Sequence, residues 1–299
     1  MDQAKIASQF LELRSPAEPE VSSPSLNSQM EHRIGLVSGP IWAIQKGKRV
    51  LEIGCGQGDC TVVLADAVTG SGEGWVDGVD PGSPDYGAPF TLSQAQAHIL
   101  SGHYGGNIAF HNLAPEAYLA KYHGPVYDYT VLSHSIWYFE NPSVIHTVVT
   151  SLEGKSHTLC IAEWSLRASS KEAEPHVLAA LILASVESKR KEASSGNIRT
   201  VLSPKGIQSV VERDGKWKLV RDEVRQSTVG LLDAFWEVGY AIKTREKKLG
   251  GLRADGVSEK ELAALVAMYD SLESAVGLLP EGVKSVRCMD VWVARFEAV

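Results

Sequence analysis

The chain has 299 residues, enough for one large α/β domain or for one domain with a cap. Its 44% hydrophobic and 22% charged residues are ordinary for a globular protein and argue against long disorder outside the ends. The formal net charge of −7 argues against nucleic acid or an anionic membrane as a partner, because an acidic chain lacks the basic field that attracts either.

The four cysteines, Cys55, Cys60, Cys160 and Cys288, form no CxxC pair and suit neither a zinc site nor a disulfide framework. The first residues contain no basic segment followed by an apolar one, so we expect no secretory signal. No apolar run reaches the roughly 18 residues that a membrane span needs. We therefore predict a cytoplasmic protein that binds no metal.

The N-terminal segment, residues 1–28, is rich in Ser, Pro and Glu, and it predicts a loosely held arm with a short helix at Ile6–Leu13. Residues 29–45 predict a helix that breaks near Gly39 and Pro40, because proline cannot continue a helix interior.

From there on, apolar runs alternate with helical patterns. The runs predict seven strands, at 49–54, 74–80, 107–112, 127–135, 157–166, 217–225 and 285–297. The helical patterns lie at 59–68, 91–100, 142–152, 174–191 and 203–213. Because alternating strands and helices form a parallel sheet covered on both faces, we predict an α/β fold: a doubly wound, mostly parallel, seven-stranded Rossmann-like sheet.

The segment 226–284 interrupts this alternation with two helical stretches, at 229–248 and 257–276. We expect a helical cap that covers the ligand edge of the sheet as a lid. The predicted division of the chain is an N-terminal arm with helices at 1–45, an α/β core at 46–225, the insertion at 226–284 and the final core strand at 285–299.

A glycine-rich turn, EIGCGQG from Glu52 to Gly58, follows the first strand and precedes a helix. In α/β sheets that position binds nucleotides, because glycines let a ligand approach the backbone and the helix start presents free N–H groups. Asp80 ends the second strand, where a carboxylate can accept hydrogen bonds from both hydroxyls of a ribose.

Asp59 distinguishes between two cofactors that would both use this arrangement. The dinucleotide fingerprint GxGxxG would place its third glycine at position 59, and an acid at that helix start is a poor neighbour for a pyrophosphate. S-adenosylmethionine has no phosphate and carries two cationic groups, so Asp59 and Glu52 are compatible with it. The absence of a TyrxxxLys pair also disfavours an NAD-dependent oxidoreductase.

With the turn at Glu52–Gly58 and the acid Asp80, residues 40–225 and the final strand resemble the class I S-adenosylmethionine-dependent methyltransferases, in particular small-molecule enzymes with a helical insertion before the last strand. The resemblance implies S-adenosylmethionine as the cofactor, with the turn on its methionine part, Asp80 on the ribose and residues after the third strand beside the adenine. The cofactor-binding residues that it implies are Glu52, Gly54, Cys55, Gly56, Gln57, Gly58, Asp80, Pro81, Asn112, Leu113 and Ser133. The family often has an acid where this chain has Asn112, whose amide can still pair with the adenine amino group.

His134, at the end of the fourth strand, is the predicted catalytic residue. We expect it to act as a general base, because the ordinary pKa of histidine lies near neutrality. The alternative is a histidine that only hydrogen-bonds the backbone or packs under the cofactor.

The predicted substrate-binding residues are aromatic and acidic side chains at strand ends and on the insertion: Trp137, Tyr138, Glu163, Trp164, Trp236 and Tyr240. In the insertion, Asp233, Trp236, Glu237 and Tyr240 share one helix face. Core packing is the alternative for the aromatic residues, and helix capping for Glu163. His32 and Arg33 can reach a cofactor carboxylate, although we expect solvated side chains there.

The sequence after the fourth strand, SHSIWYF, lacks the [N/D]PP[Y/F] pattern of adenine methylases. We therefore predict methylation of a small molecule, in the first place O-methylation of a specialised metabolite. N-methylation of a small amine and a cofactor-binding protein without methyl transfer stay as alternatives. The expected partner is a small-molecule methyl acceptor, with no nucleic acid and no membrane; a homodimer stays open.

Overall fold

The structure is a computed structural model that describes residues 1–11, 23–71, 73–192 and 196–299. It contains seven strands: β1 (Arg49–Ile53), β2 (Trp75–Val79), β3 (Ile108–His111), β4 (Tyr127–Ser133), β5 (Ser156–Trp164), β6 (Trp217–Arg225) and β7 (Val291–Ala298). The α-helices of the described residues are α1 (Gln3–Gln9), α2 (Ser23–Val37), α3 (Asp59–Val68), α4 (Leu92–Leu100), α5 (Pro115–Lys121), α6 (Pro142–Ser151), α7 (Glu174–Glu187), α8 (Pro204–Val211), α9 (Asp233–Ala254) and α10 (Glu259–Gly277).

All seven strands form one sheet in the order β3-β2-β1-β4-β5-β7-β6. The pairs from β3 to β5 are parallel, whereas β7 is antiparallel to both β5 and β6. The seven-stranded α/β fold is thus confirmed. The sheet is mixed, however, so the prediction of a mostly parallel sheet overstated how regular it is. The alternation of apolar residues within a strand does not report the direction of its partner, so β7 could not be oriented from the sequence.

The chain order of the strands reverses beside β1, which has β2 on one side and β4 on the other. At such a switch point the loops after the strands separate and leave a crevice outside the carboxyl ends. The residues after β1, β2 and β4 meet at this edge of the sheet. The glycine turn, Asp80 and His134 are therefore neighbours, although they lie far apart in the chain.

The N-terminal arm departs from its prediction. Ile6 and Phe10 are buried, and α1 packs against α2 and α3 of the same chain, so this part of the arm is held by apolar contacts and not loosely. The predicted helix Ile6–Leu13 corresponds to α1, which begins earlier and ends at Gln9. The last two positions of the prediction, 12 and 13, lie outside the described residues. α2 starts at Ser23, before position 29, and ends at Val37, ahead of Gly39.

Two further elements differ from the sequence pattern. The short helix α5 was not predicted; its Tyr118 and Leu119 are buried under the sheet. The last strand starts at Val291 and not at 285: Gly282–Ser285 forms a 3-10 turn, and residues 286–290 belong to no strand. α9 and α10, which make up most of the 226–284 segment, pack against α7 beside the sheet.

Candidate active site

The glycine turn has a backbone that only glycine adopts without strain. Gly54, Gly56 and Gly58 all have positive φ, of 76°, 52° and 96°. A β carbon at Gly54 would lie 2.5 Å from the β carbon of Ser135, and one at Gly58 would lie 2.7 Å from Cδ1 of Ile99. A β carbon at Gly56 would meet no atom within 4 Å. Two of the glycines are therefore required by packing, and the third exposes backbone to open space that a ligand can enter.

Asp80 connects the end of β2 to this turn. Its Oδ2 accepts the N–H of Gly56 at 2.8 Å, and its Oδ1 accepts the N–H of Gly82 at 2.7 Å. A carboxylate oxygen has two lone pairs, so each oxygen of Asp80 keeps one for a further donor. The carboxylate is thus fixed in orientation and still able to accept two ligand hydroxyls.

Asn112, after β3, lies beside Asp80. Its Nδ2 donates to the main-chain oxygens of Asp80 and Gly82, which leaves Oδ1 as an acceptor. Leu113 is partly exposed next to it. Gln57 of the turn donates its amide to the oxygen of Phe90, which ties the turn to the loop that follows Pro81.

Glu52 lies inside the protein and not on the surface of the site. The side chain is buried, and it accepts the hydroxyl of Thr61 on α3. Burial raises the pKa of Glu52 to about 8. Cys55 is also buried. These two residues brace the turn from behind, whereas Gly56 and Asp80 line its open side.

His134 stands at the end of β4 with a left-handed backbone, φ 51°. Its Nε2 is 2.9 Å from Nε2 of His32, and its ring packs on Trp164 with the ring centroids 4.3 Å apart. Its Nδ1 has no hydrogen-bond partner and lies 3.6 Å from Oε1 of Glu163. The predicted base is thus held by one nitrogen and by its ring face, and its other nitrogen is unpaired.

Glu163 caps the turn after β4 that carries two of the predicted substrate-binding residues, Trp137 and Tyr138. The carboxylate is 1% exposed; Oε2 accepts the N–H groups of Ile136 and Trp137, and Oε1 that of Trp164. Trp137 is buried and its indole N–H donates to the oxygen of Leu202. The structure therefore places Glu163 and Trp137 as supporting residues, in line with the capping and core alternatives, and Trp164 as the buried platform for His134.

Tyr138 is the aromatic residue of this turn that faces outward, with 52% of its surface exposed. Surrounding protein removes part of its solvation, and together with the nearby carboxylates of Asp233 and Glu237 this raises the pKa of Tyr138. Trp236 and Tyr240 are each half-exposed on α9, and the ring of Tyr240 lies against the ammonium of Lys248. The structure thus brings Tyr138 to the acids of α9, but shows no such contact for Trp236 or Tyr240.

The two acids of α9 are themselves held by side chains from distant elements. Gln29 of α2 donates to Oδ2 of Asp233 at 2.8 Å. Nε2 of His176 on α7 lies 2.9 Å from Oε2 of Glu237, while its Nδ1 accepts the N–H of Met289, so Nε2 carries the proton. Burial raises the pKa of Glu237. Sequence reasoning missed His176; its one signal was a single histidine within an apolar helix.

His32 and Arg33 of α2 are not the solvated side chains that we expected. His32 is 3% exposed and contacts His134. Arg33 bonds to Gln29 and lies 3.7 Å from Asp59 at the start of α3. His32 is buried and Arg33 half-buried, and α2, which carries both, packs against α3, a contact that a local pattern does not report.

Comparison with known proteins gives the fold and the reaction class. No family model matches the chain. Methyltransferase phomM′ and methyltransferase phomM of Diaporthe leptostromiformis are each 27% identical to it, over 84% of this chain and 74% of each relative. A cyclopropane-fatty-acyl-phospholipid synthase-like protein from Lactobacillus casei has a TM-score of 0.79 at 25% identity, over 99% of this chain and 98% of its own. These likenesses support a class I S-adenosylmethionine-dependent methyltransferase.

The fold of the methyltransferase is also that of the cyclopropane synthase MmaA2 from Mycobacterium tuberculosis, with a TM-score of 0.50 at 12% identity over 99% of this chain and 94% of that one. Among the described residues, no helix of the methyltransferase is long and apolar enough to span a membrane. Within the same ranges, no three His, Cys, Asp or Glu side chains are grouped as metal ligands would be.

The cofactor of the methyltransferase is S-adenosylmethionine, as the sequence predicted. The residues at the sheet edge fit it. Gly56 leaves space against the backbone, and Asp80 has unused lone pairs for hydroxyl groups. Asp59 and Asp233 supply negative charge near the turn, which suits a cofactor with sulfonium and ammonium groups.

Proposed function

We propose that the methyltransferase O-methylates a hydroxyl group of a small specialised metabolite, with His134 as the general base. The observation that carries the proposal is the place of His134 in the site. Its neighbour Ser135 packs against Gly54 of the glycine turn, and Nδ1 of His134 is free of hydrogen bonds. An enclosed histidine with one unpaired nitrogen beside the cofactor edge suits the uptake of a proton from an acceptor.

The cofactor in this proposal lies across the ends of β1, β2 and β4. The open backbone at Gly56 receives the methionine part, Asp80 accepts the ribose hydroxyls, and Oδ1 of Asn112 accepts the adenine amino group. The proposed cofactor residues, as contacts or as supports of the turn, are Glu52, Gly54, Cys55, Gly56, Gln57, Gly58, Asp80, Pro81, Asn112, Leu113 and Ser133.

We assign the acceptor to the space between Tyr138 and α9. In this division, residues 46–225 and 285–299 form the cofactor-binding core, the segment 226–284 is a lid, and the helices of 1–45 close the site from the other side. Trp236 and Tyr240 are the lid's proposed acceptor contacts, and Glu163 and Trp164 hold His134 in place. A lid over an enclosed site favours a small acceptor over a macromolecule.

The bound cofactor would supply a methyl group on a sulfonium sulfur. The neutral thioether that remains after transfer is a good leaving group. The protein has to align the acceptor oxygen, exclude water and take up one proton. The imidazole of His134 would take up the proton that the acceptor hydroxyl loses when its oxygen gains the methyl group and the bond from that group to sulfur breaks. The resulting imidazolium faces Glu163 at 3.6 Å, where opposite charge stabilises it.

N-methylation of a small amine is the second candidate, and one observation favours it. Asp233 and Glu237 both act on Tyr138 from α9, so a cationic amine would find carboxylates at the acceptor space. The amine must lose its own proton before attack, but the transfer needs no strong base.

The first test is calorimetric titration with S-adenosylhomocysteine, with NADH as the control ligand, followed by a panel of phenols, aliphatic alcohols and amines with labelled S-adenosylmethionine. On a hydroxyl acceptor, His134→Ala is expected to lower kcat by about 10²–10⁴ without changing the Kd of S-adenosylhomocysteine. His146→Ala, on α6, is the matched control and should change neither.

If amines were methylated and no hydroxyl acceptor was, N-methylation would replace O-methylation as the proposed activity. Full activity of His134→Ala on a hydroxyl acceptor would remove His134 from the mechanism. Binding of S-adenosylhomocysteine with no product from any class of acceptor would indicate a cofactor-binding protein without methyl transfer.

A further inference from the structure

An open cleft lies on the face of the sheet that carries α5. It has a volume of about 630 Å³ and is bounded by β1, β2 and β3, by α5 and by the loop that follows α5. That volume is within the roughly 300–1,000 Å³ of small-molecule sites. Of the lining residues only Leu113 belongs to the proposed cofactor site, and none belongs to the proposed acceptor space. Neither proposed site therefore accounts for the cleft.

The floor of the cleft is polar, which is unusual for parallel strands. Such strands are normally covered by helices on both faces and are apolar on both. Here α5 has only seven residues, and the sheet beside it stays open. Side chains at alternate positions of three neighbouring strands line the opening: Arg49 of β1, Trp75 and Asp77 of β2, and Ala109 and His111 of β3. The sheet thus presents charged and aromatic groups where a core would present aliphatic ones.

Asp77 is the centre of a hydrogen-bonded network in this floor. The side chain is buried; its Oδ1 lies 2.9 Å from Nε2 of His111, and its Oδ2 accepts the hydroxyl of Tyr127 at 2.8 Å. Nη2 of Arg49 lies 3.5 Å from the same Oδ2. Burial opposes the charge of Asp77, but hydrogen bonds, that of His111 first among them, outweigh it and lower its pKa. Asp77 is therefore ionised and already engaged, so it holds its neighbours in place and offers little to a ligand.

The charge that remains for a ligand is positive. Arg49 and Lys121 are cations among the lining residues, and Asp77 is the one acid among them. Lys121 is exposed, and in the part of the chain that the structure describes no carboxylate pairs with its ammonium. Nε of Arg49 is buried and has no hydrogen-bond partner within the same ranges. In a chain of net charge −7, this lining attracts an anion.

Aromatic rings form the sides of the cleft. Trp75 lines it from β2, and Tyr118 and Tyr122 line it from α5. The ring centroids of the two tyrosines are 5.7 Å apart, and Tyr122 stacks on Tyr127 at 4.8 Å and 23°. The guanidinium carbon of Arg49 lies 5.9 Å from the ring centroid of Trp75, at the distance of a cation–π contact. Rings that are fixed in this way offer surfaces against which a planar ligand can stack.

We propose that this cleft is a second ligand site, which binds a small planar aromatic molecule carrying one anionic group. The anionic group binds to Arg49 and Lys121, and the ring packs against Trp75 and Tyr122. The proposal goes beyond the methyl-transfer activity and does not depend on it. Arg49 and Trp75 are the first residues of β1 and β2, whereas the glycine turn follows the last residue of β1, so the two sites open at opposite ends of these strands.

The first test is calorimetric titration of the whole chain with three matched probes. They are 1-naphthoate, its neutral amide 1-naphthamide, and decahydronaphthalene-1-carboxylate, which keeps the charge and lacks the aromatic ring. We expect 1-naphthoate to bind at one site. The amide should bind at least about 10-fold more weakly, because it offers no charge to the two cations. The saturated acid should bind about 3–10-fold more weakly, because it cannot stack. Saturating S-adenosylhomocysteine should not displace 1-naphthoate.

Two pairs of variants locate the bound probe. Lys121→Gln should weaken the binding of 1-naphthoate by about 2–5-fold, as expected for an exposed ion pair, whereas Lys260→Gln, at an exposed lysine of α10, should not change it. Trp75→Leu should weaken it by about 3–10-fold. Trp236→Leu is the matched control: it removes a tryptophan of the proposed acceptor space and should leave the affinity unchanged.

Nitrogen-15 NMR of the indole N–H groups gives an independent location. In the wild type, 1-naphthoate should shift the signal of Trp75 and leave those of Trp164 and Trp236 in place. If Trp75→Leu does not fold, this measurement and the exposed Lys121→Gln decide.

Three results would overturn the inference: equal affinity for the acid and its amide, unchanged affinity in Lys121→Gln, or a shift at Trp164 or Trp236 in place of Trp75. Absence of 1-naphthoate binding would overturn it as well. Sedimentation then shows what covers the cleft, since a dimer that Lys121→Glu dissociates would assign this face to a second copy of the chain.

Discussion

At the proposed cofactor side of the site the ordered contacts are made mainly by the backbone, whereas at the proposed acceptor side they are made by buried side chains. Asp80 is held by the N–H groups of Gly56 and Gly82. His134 is held by the ring of His32, and Asp233 by Gln29. Backbone contacts do not titrate, but imidazoles and buried carboxylates do. The cofactor side should therefore be sensitive to shape, and the acceptor side to protonation.

The largest effect is expected from a substitution that disturbs the packing of the glycine turn. Gly54→Ala places a methyl group 2.5 Å from the β carbon of Ser135 at a positive φ, so we expect a loss of about 2–5 kcal/mol in the free energy of unfolding. Gly56→Ala is the matched control for strain, since its methyl group meets nothing and should cost only about 1–2 kcal/mol.

The variant Gly56→Ala also tests where the cofactor binds. If the cofactor enters the space at Gly56, its alanine variant should bind S-adenosylhomocysteine at least about 10-fold more weakly while staying folded. Urea denaturation and calorimetry on both variants provide the two numbers. Equal stability of the variants, or unchanged affinity in Gly56→Ala, would contradict this view of the turn.

A middle-sized effect is expected from Asp80, the carboxylate that we propose for the ribose. Asp80→Ala should weaken S-adenosylhomocysteine binding by roughly 1.5–3 kcal/mol, because hydrogen bonds to a charged acceptor are lost. Asp85→Ala, an exposed acid in the loop that follows, is the control and should bind normally. A folded Asp80→Ala protein with wild-type affinity would refute the ribose assignment.

The smallest effect concerns Glu52, the buried acid behind the turn. Its pKa is raised from 4.5 to about 8 by burial, so its contribution to stability is present below about pH 4.5 and is lost as the pH rises through 8. The stability of Glu52→Gln relative to the wild type should rise between pH 5 and pH 8, because only the wild type has a carboxyl group whose ionisation burial opposes in that range. Chemical denaturation at the two pH values measures this, with the exposed Glu153→Gln as control. A wild-type advantage at pH 8 would show that the ionised form is the stabilised one.

The sequence predicted the cofactor half of the molecule closely because its signals are local. The apolar run from Arg49 and the glycines after it define β1 and the start of α3, and the observed helix covers the predicted 59–68. The predicted bounds of β6, 217–225, are also those observed. The short α5 was missed because a helix of seven residues shows too little periodicity to stand out.

The sequence by itself determined the seven strands, the glycine turn and the acid after β2, since each depends on residues that are close in the chain. The tertiary structure alone decided the antiparallel direction of β7, the capping role of Glu163 and the pairing of His32 with His134, which are separated by 102 positions. The physical reason is that hydrophobic periodicity records which side of an element is buried. It does not record which distant side chain shares that buried space, as His32 does with His134 in this protein.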